Sequence, residues 1–315
     1  VTNVCMHTLK YAYKRLLRKK NPGFWIVGSD FEQATISNIY IDLRNLDHAH
    51  IGDQMFFISA ALKTSGPRIT LLINKGLEEL YRCFDVTTMI DPMLQEFDAS
   101  PECLYVCSLK SYIHPTDEIF RRFKNILAYD LTDSEITEPL YRHIRFVLTG
   151  TLLGGDDNVM PIKTSSLKAA DLTCRFGLTG KKFIIFNDIL YSRKTLRRWL
   201  EPYLEAKLLA LKAAGVVVVY VGGKQDQSLS SSLIGHVDID LRGRTSFSEL
   251  FALINAQDNI GFIGFDNAIM HMNLLLGKNV FIKFRGRFSQ RGRKLHENVI
   301  NCGVCHSAKS NITYL

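Results

Sequence analysis

Asn259-Ile260-Gly261-Phe262-Ile263-Gly264-Phe265-Asp266-Asn267-Ala268-Ile269-Met270-His271-Met272-Asn273-Leu274-Leu275-Leu276-Gly277 is the stretch whose reading decides the fold. Asn259 to Ile263 is a short apolar run of strand length, and Gly264 to Ala268 supplies the glycine and side-chain oxygens of a turn. Ile269 to Leu276 then reads as a helix, with Gly277 as its stop signal. A second apolar run, Asn279 to Phe284, follows at once. Strand, helix and strand at this spacing make a parallel β-α-β unit.

The same grammar extends upstream. A strand is expected at Phe183 to Phe186, a loop at Asn187 to Thr195 and a helix from near Trp199 to Ala214. The β-branched run Val216 to Val221 follows, closed by Gly222-Gly223. A third strand is expected at His236 to Leu241 and a helix at Ser246 to Ala256. Between residues 150 and 180 the chain turns polar and glycine-rich, with Gly154-Gly155-Asp156-Asp157-Asn158 and Pro161, before a helix-capable stretch at Ser165 to Asp171. This marks a domain junction.

The first half repeats the pattern with a strand at Ile39 to Leu43, a polar loop from Arg44 to Gly52, a helix at Asp53 to Thr64 and a strand at Ile69 to Asn74. Further apolar runs lie at Leu104 to Leu109 and Arg145 to Leu148. The order of these strands cannot be read from their sequences. The expected organisation is a basic amphipathic segment at residues 1–22, an α/β domain at 23–160 and a second α/β domain at 161–315. A chain of 315 residues that is 46% hydrophobic has enough apolar material for two cores.

No apolar run approaches the roughly 18 residues that span a bilayer, and no secretion signal is evident, so a soluble, cytoplasmic protein is expected. Seven scattered cysteines do not resemble a disulfide framework. Cys302-Gly303-Val304-Cys305-His306 formally matches a c-type haem attachment site, but that chemistry needs an exported protein. Surface thiols without a cofactor are expected there. His48 and His50 alternate around Ala49, yet no third ligand follows at a diagnostic spacing, and no metal site is expected.

The net charge is +8, and six of those positive charges precede Pro22: Lys10, Lys14, Arg15, Arg18, Lys19 and Lys20. With Leu9, Tyr13, Leu16 and Leu17 among them, residues 7–20 read as a basic amphipathic helix suited to a membrane surface. A second basic cluster runs from Lys283 to Lys294. Neither cluster accompanies a nucleic-acid-reading motif, so no nucleic-acid partner is expected.

Open α/β sheets bind ligands at the carboxyl ends of their strands, and the chemistry-bearing residues gather at those places. Asp53 opens a helix just after Gly52, where a carboxylate either caps the helix or acts as a base. Arg193, Lys194, Arg197 and Arg198 crowd a loop and helix start, where cations and main-chain amides together suit a diphosphate. The turn at Asp266, Asn267 and Ala268 repeats that arrangement. Met270 and His271 read equally well as packing residues.

In their order, these pieces resemble the ADP-heptose:lipopolysaccharide heptosyltransferase family, glycosyltransferase family 9, over most of the chain after Ile39. Ile39-Tyr40-Ile41-Asp42-Leu43-Arg44 followed by Ile51-Gly52-Asp53 is similar to the family's strand, loop and Gly-Asp helix start. Val219-Tyr220-Val221-Gly222-Gly223 is similar to its Gly-Gly turn, and the segment from Asp240 to Leu250 to its Gly-Lys-Thr-Ser…Glu-Leu motif. Asp266, Met270, His271 and Gly277 continue in register with its Asp-(Ser/Thr)-Gly-x-Met-His…Leu-Gly signature.

The resemblance implies a GT-B fold of the α/β class, two Rossmann-like domains facing each other across a cleft, and an inverting, metal-independent glycosyl transfer without a cofactor. It implies Asp53 as catalytic base, and Arg193, Lys194, Arg197, Gly222, Gly223, Asp266, Asn267, Ala268 and His271 around a nucleotide-sugar donor. From charge and location, His50, Arg121, Arg122, Lys124, Arg142 and Arg145 would face an anionic glycolipid acceptor of the lipopolysaccharide core type. Three departures bear on the donor. Asn267-Ala268 replaces Ser or Thr followed by Gly, Asn187-Asp188 replaces a small Gly-Ala-Ser turn, and Arg197 replaces a lysine. They leave open another nucleotide sugar, for capsule or O-antigen, and a catalytically silent nucleotide- or glycan-binding relative.

Overall fold

The computed structural model describes residues 24–26, 36–44, 51–63, 67–90, 100, 102–108, 123, 125–129, 169–189, 194–228, 232–283 and 311–315. These form two six-stranded parallel sheets, and the chain divides into two compact units. One unit gathers residues 1–47, 63–78 and 86–153; the other gathers 48–62, 79–85 and 154–315.

The first sheet contains β1 (Phe24–Ile26), β2 (Asn38–Asp42), β3 (Arg68–Ile73), β4 (Thr87–Ile90), β5 (Cys103–Ser108) and β6 (Asn125–Tyr129), in the order β1-β6-β5-β2-β3-β4. Helix α1 (Ile51–Lys63) lies in sequence between β2 and β3, and the short α2 (Glu78–Arg82) precedes β4. The expected strands at 39–43, 69–74 and 104–109 are all present, each within one residue of its reading. β1 and β4 were not legible because each is short, and β4 is half exposed; β6 was not read either, although it is as long as β2. The run at Arg145 to Leu148 and the segment 7–20 lie outside the described residues.

The second sheet contains β7 (Phe183–Asn187), β8 (Val217–Tyr220), β9 (Ile239–Asp240), β10 (Asn259–Gly264), β11 (Val280–Ile282) and β12 (Ile312–Tyr314), in the order β12-β11-β10-β7-β8-β9. Its helices are α3 (Ala169–Arg175), α4 (Lys194–Ala213), α5 (Phe247–Asn255) and α6 (Ala268–Leu275). β7 is buried at every position, as a central parallel strand covered on both faces must be. α4 turns Leu204, Leu208 and Leu211 into a cluster with Ile184, Phe186, Val218, Tyr220 and Ile263 from the sheet. Spacings of four and three residues put those leucines on one helical stripe.

Two helix ends follow their sequence signals closely. Ser246 accepts a bond from the Glu249 amide while the Glu249 carboxylate accepts one from the Ser246 amide, a complete capping box on α5. α6 ends where Gly277 takes φ +69, with the Gly277 amide donating to Leu274 and the Lys278 amide to Asn273. That bond pair is a Schellman stop, which a glycine accepts without a Cβ penalty.

Two expectations need correction. In the span His236 to Leu241 read as a third strand, His236 closes a 3₁₀ turn, Ser232–His236, and only Ile239 and Asp240 are strand. A short edge strand limits unpaired backbone, and periodicity over six residues cannot separate it from a turn. The helix expected from near Trp199 begins at Lys194 and runs through Pro202. Its polar first turn hid its start.

Candidate functional site

In each sheet the connections run one way from a central strand and then the other, creating a switch point. It lies between β2 and β5 in the first sheet and between β7 and β10 in the second. Ligands of open α/β sheets settle outside the carboxyl ends of strands at such points.

At the second switch point, β7 ends on Asn187 and β10 on Gly264, paired in register. A methyl group on Gly264 would lie 1.9 Å from the Asn187 carbonyl oxygen, so only glycine lets these strand ends approach. Asp266 and Asn267 follow, and Asn267 caps α6 by accepting bonds from the Ile269 amide at 3.0 Å and the Met270 amide at 3.2 Å. Two of the amides at this helix start are therefore occupied by the cap. Those of Asn267 and Ala268 have no hydrogen-bond partner among the described residues.

His271 stands one turn into α6, with Nε2 3.5 Å from the Asp266 carboxylate. Gly52, the second residue of α1, belongs to the same compact unit and lies against this ring: a Cβ on Gly52 would meet His271 Cδ2 at 3.1 Å and the Ala268 Cα at 3.7 Å. The Gly52-Asp53 helix start is thus brought to the first turn of α6, which no sequence spacing revealed. Asp53 occupies the first turn of α1.

The Gly222-Gly223 turn is held from beneath. Gly223 donates its amide to the buried Asp226 carboxylate at 2.6 Å, and a Cβ on Gly222 would meet that same carboxylate at 2.6 Å. Arg242 donates from Nη1 to the Asp226 carbonyl at 2.8 Å, stacks on the Tyr220 ring at 4.4 Å and grips Asp240 through Nε and Nη2. The Tyr220 hydroxyl donates to the fully buried Asp188. Asp188, one of the departures from the family pattern, thus has the Tyr220 hydroxyl as a partner, with Arg242 close enough to feel it electrostatically.

The Arg242 side chain, opposed by burial and aided by its own amide and the charges of Arg242 and Arg244, holds the Asp240 carboxyl below its ordinary range. A depressed folded pKa contributes stability that is complete above the unfolded carboxyl value of about 3.9 and is lost as pH falls through the folded value. Urea unfolding should therefore show a wild-type advantage over Asp240→Asn that is constant above about pH 5 and shrinks below about pH 4. An advantage independent of pH down to 2 would assign it to packing instead.

The first switch point carries a related device. Asp42, buried at the end of β2, receives the Arg44 amide at 3.0 Å, Arg44 Nε at 2.9 Å and Nη2 at 2.8 Å, and the Tyr105 hydroxyl at 2.6 Å. Burial, and then the adjacent Asp42 charge and hydrogen bond, push the Tyr105 hydroxyl far above its ordinary pKa. The Asp-Leu-Arg triplets at 42–44 and 240–242 thus make the same turn at two strand ends. Their identity of sequence was a signal that reading by motif passed over.

Of the expected site residues, Gly222, Gly223, Asp266, Asn267, Ala268 and His271 lie on loops and a helix start at the carboxyl ends of second-sheet strands. Lys194 opens α4 and Arg197 lies in its first turn, downstream of β7. Arg193, His50, Arg121, Arg122 and Arg142 lie outside the described residues, as do Cys302 and Cys305.

No protein-family model and no curated protein sequence matches this chain. Solved structures do. A glycosyl transferase family 9 protein from Veillonella parvula superposes with a TM-score of 0.56 at 14% identity, covering 91% of this chain and 88% of that one. The ADP-heptose lps heptosyltransferase II of E. coli gives 0.56 at 16% identity, with 89% and 91% covered. E. coli heptosyltransferase WaaC with ADP gives 0.54 at 10% identity, with 88% and 93% covered. At such identities the similarity establishes the fold, the two-sheet GT-B type.

Proposed function

We propose that this chain is a glycosyltransferase that moves a sugar from a nucleotide donor to an anionic glycolipid. The specific pairing we favour is heptose from ADP-heptose and a lipopolysaccharide or lipooligosaccharide core. The observation that carries this reading is the placement of Gly222-Gly223, Asp266-Asn267-Ala268 and His271, met in family order along the sequence, around one switch point of a GT-B fold. Two separate connections, after β8 and after β10, converge there in the position at which such sheets take ligands.

In the proposed reaction Asp53 accepts the proton of an acceptor hydroxyl, whose oxygen attacks the anomeric carbon. The bond from that carbon to the diphosphate breaks, and the electron pair leaves with the nucleoside diphosphate, inverting the centre. Arg193, Lys194 and Arg197, with the amides of Asn267 and Ala268, stabilise the charge of the departing diphosphate. Asp266 takes hydroxyls of the donor sugar, and His271 braces Asp266. Cations around Arg121, Arg122 and Arg142, with His50, take the acceptor's anionic groups. The chemistry needs a base and fixed positive charge, and we assign it no metal or cofactor.

Among the described residues no helix is long and apolar enough to cross a membrane. We place the protein in the cytoplasm, docked on the inner face of the cytoplasmic membrane through residues 7–20, where a glycolipid acceptor would be presented. The rebuilt Asn187 and Asn267 turns favour one second reading, a transferase of another nucleotide sugar for capsule or O-antigen.

Thermal shift across ADP, UDP, GDP, CDP and their sugars separates these readings, because a ligand that binds only the folded state raises its stability by about 2.7 kcal/mol at a hundredfold excess over Kd. Stabilisation by ADP, and more strongly by ADP-heptose, with the added effect of the sugar lost in Asp266→Ala, is the expected result. Selective stabilisation by another nucleotide would transfer the proposal to that donor. Stabilisation by a nucleotide with no turnover would identify a silent binder, and no stabilisation by any would remove the donor-site reading.

A further inference from the structure

Two of the departures from the family pattern, Asn187 and Asn267, are 80 residues apart in sequence and hydrogen-bonded to each other: Asn267 Nδ2 donates to Asn187 Oδ1 at 2.8 Å. The orientation of both carboxamides is dictated by groups that have no choice of role. The Val221 carbonyl can only accept, so Asn187 must turn Nδ2 toward it, and does so at 2.7 Å. Asn187 Oδ1 is then left to accept, taking the Ile189 amide at 3.0 Å and Asn267 Nδ2. The Ile269 and Met270 amides can only donate, so Asn267 must turn Oδ1 toward them and Nδ2 toward Asn187.

One directional chain of hydrogen bonds therefore runs from the α6 amides through Asn267 and Asn187 to Val221, which directly precedes Gly222-Gly223. It ties together the loop after β7, the turn after β8 and the turn after β10. Asn187 is buried, so its bonds to the Val221 carbonyl and from the Ile189 amide have no ready replacement in water. A serine or glycine at 187 could not supply a donor and an acceptor at that reach, and a hydroxyl at 267 could cap α6 without reaching Asn187.

We infer that Asn187 is a positioning residue: its carboxamide sets the Asp266-Asn267-Ala268 turn, so the two departures are one matched replacement rather than separate losses. The functional consequence rests on the donor-site reading above. Asn187 need not touch the donor. It acts through Asn267 on the amides and the carboxylate that would.

The test uses the full chain, ADP as probe, and three variants: Asn267→Ser, Asn187→Ser and the double substitution. Asn267→Ser keeps a good cap and removes only the link, so its melting temperature should stay within about 2 °C of wild type. Each single variant should bind ADP about tenfold more weakly, and the double variant no worse than the singles, because both changes break one connection. Hydrogen exchange of the peptide spanning 264–272 should quicken about tenfold in each variant, with α5 unchanged.

Quickened exchange with no ADP binding in the wild type would uphold the positioning role and remove the ADP reading. Unchanged exchange and affinity in Asn267→Ser would overturn the inference even if Asn187→Ser failed to fold. An additive, roughly hundredfold loss in the double variant would overturn it too, since independent contacts add.

Discussion

Replacing Asp53 by asparagine is expected to lower kcat about a hundred- to ten-thousand-fold, the range over which a positioned general base contributes. The amide keeps the size and hydrogen-bonding reach of the carboxylate but cannot accept the acceptor's proton. Donor binding should survive, because Asp53 lies in the first turn of α1 and the donor reading places the diphosphate on the second-sheet loops. ADP should therefore still raise the melting temperature of the variant. The competing role is purely structural: an acidic residue in the first turn of a helix is stabilised by the helix dipole by about 0.3–1 kcal/mol. Loss of that effect alone would lower stability slightly and leave kcat within a factor of three, and such a result would end the assignment of Asp53 as base.

Gly264→Ala should produce the largest change in stability. The added methyl would lie 1.9 Å from the Asn187 carbonyl oxygen and 2.7 Å from Phe262 Cζ. The first of these is backbone in the adjacent central strand and cannot swing away. Relief requires β7 and β10 to part where they are paired in register, loosening the Phe265 amide bond to Asn187 as well. A cost on the order of 3 kcal/mol or more is expected, at the upper end for overpacking, read as a shift of the urea unfolding transition. Gly235→Ala is the control. No atom lies within 4 Å of a Cβ there, so its effect should stay within about 0.5 kcal/mol. Equal effects at the two positions would mean that the strands accommodate the methyl and that the close approach is incidental.

Much of the second sheet was legible because its signals are local. The apolar run of β7, the helix start read at Ser246 and the Gly277 stop are each signalled within a few residues of sequence. Strand ends were found to within a residue or two where the strand is central and continuously buried. Reading failed at β9 and β12, edge strands of two and three residues that owe their pairing to the neighbour they meet.

The candidate site divides in the same way. Asp266, His271 and Gly222-Gly223 could be named as candidates because their motifs are contiguous and their strand-turn-helix context is local. The amino acid types at 187 and 267 were visible as departures, and nothing in their spacing said that they meet. Likewise Gly52 came to rest on His271, and Arg242 on Tyr220 and Asp226, across long stretches of chain.

From its sequence alone this protein determined its helices, its central strands, its turns and the residue types available for chemistry, since propensity, capping and hydrophobic period act over a few residues. Strand order, the two switch points and the partners of Asn187, Asp188 and Arg242 were decided only by the tertiary structure. A hydrogen bond between residues 80 positions apart exists only after two strands have paired, and the energy that pairs them comes from burying their faces, not from the bond itself.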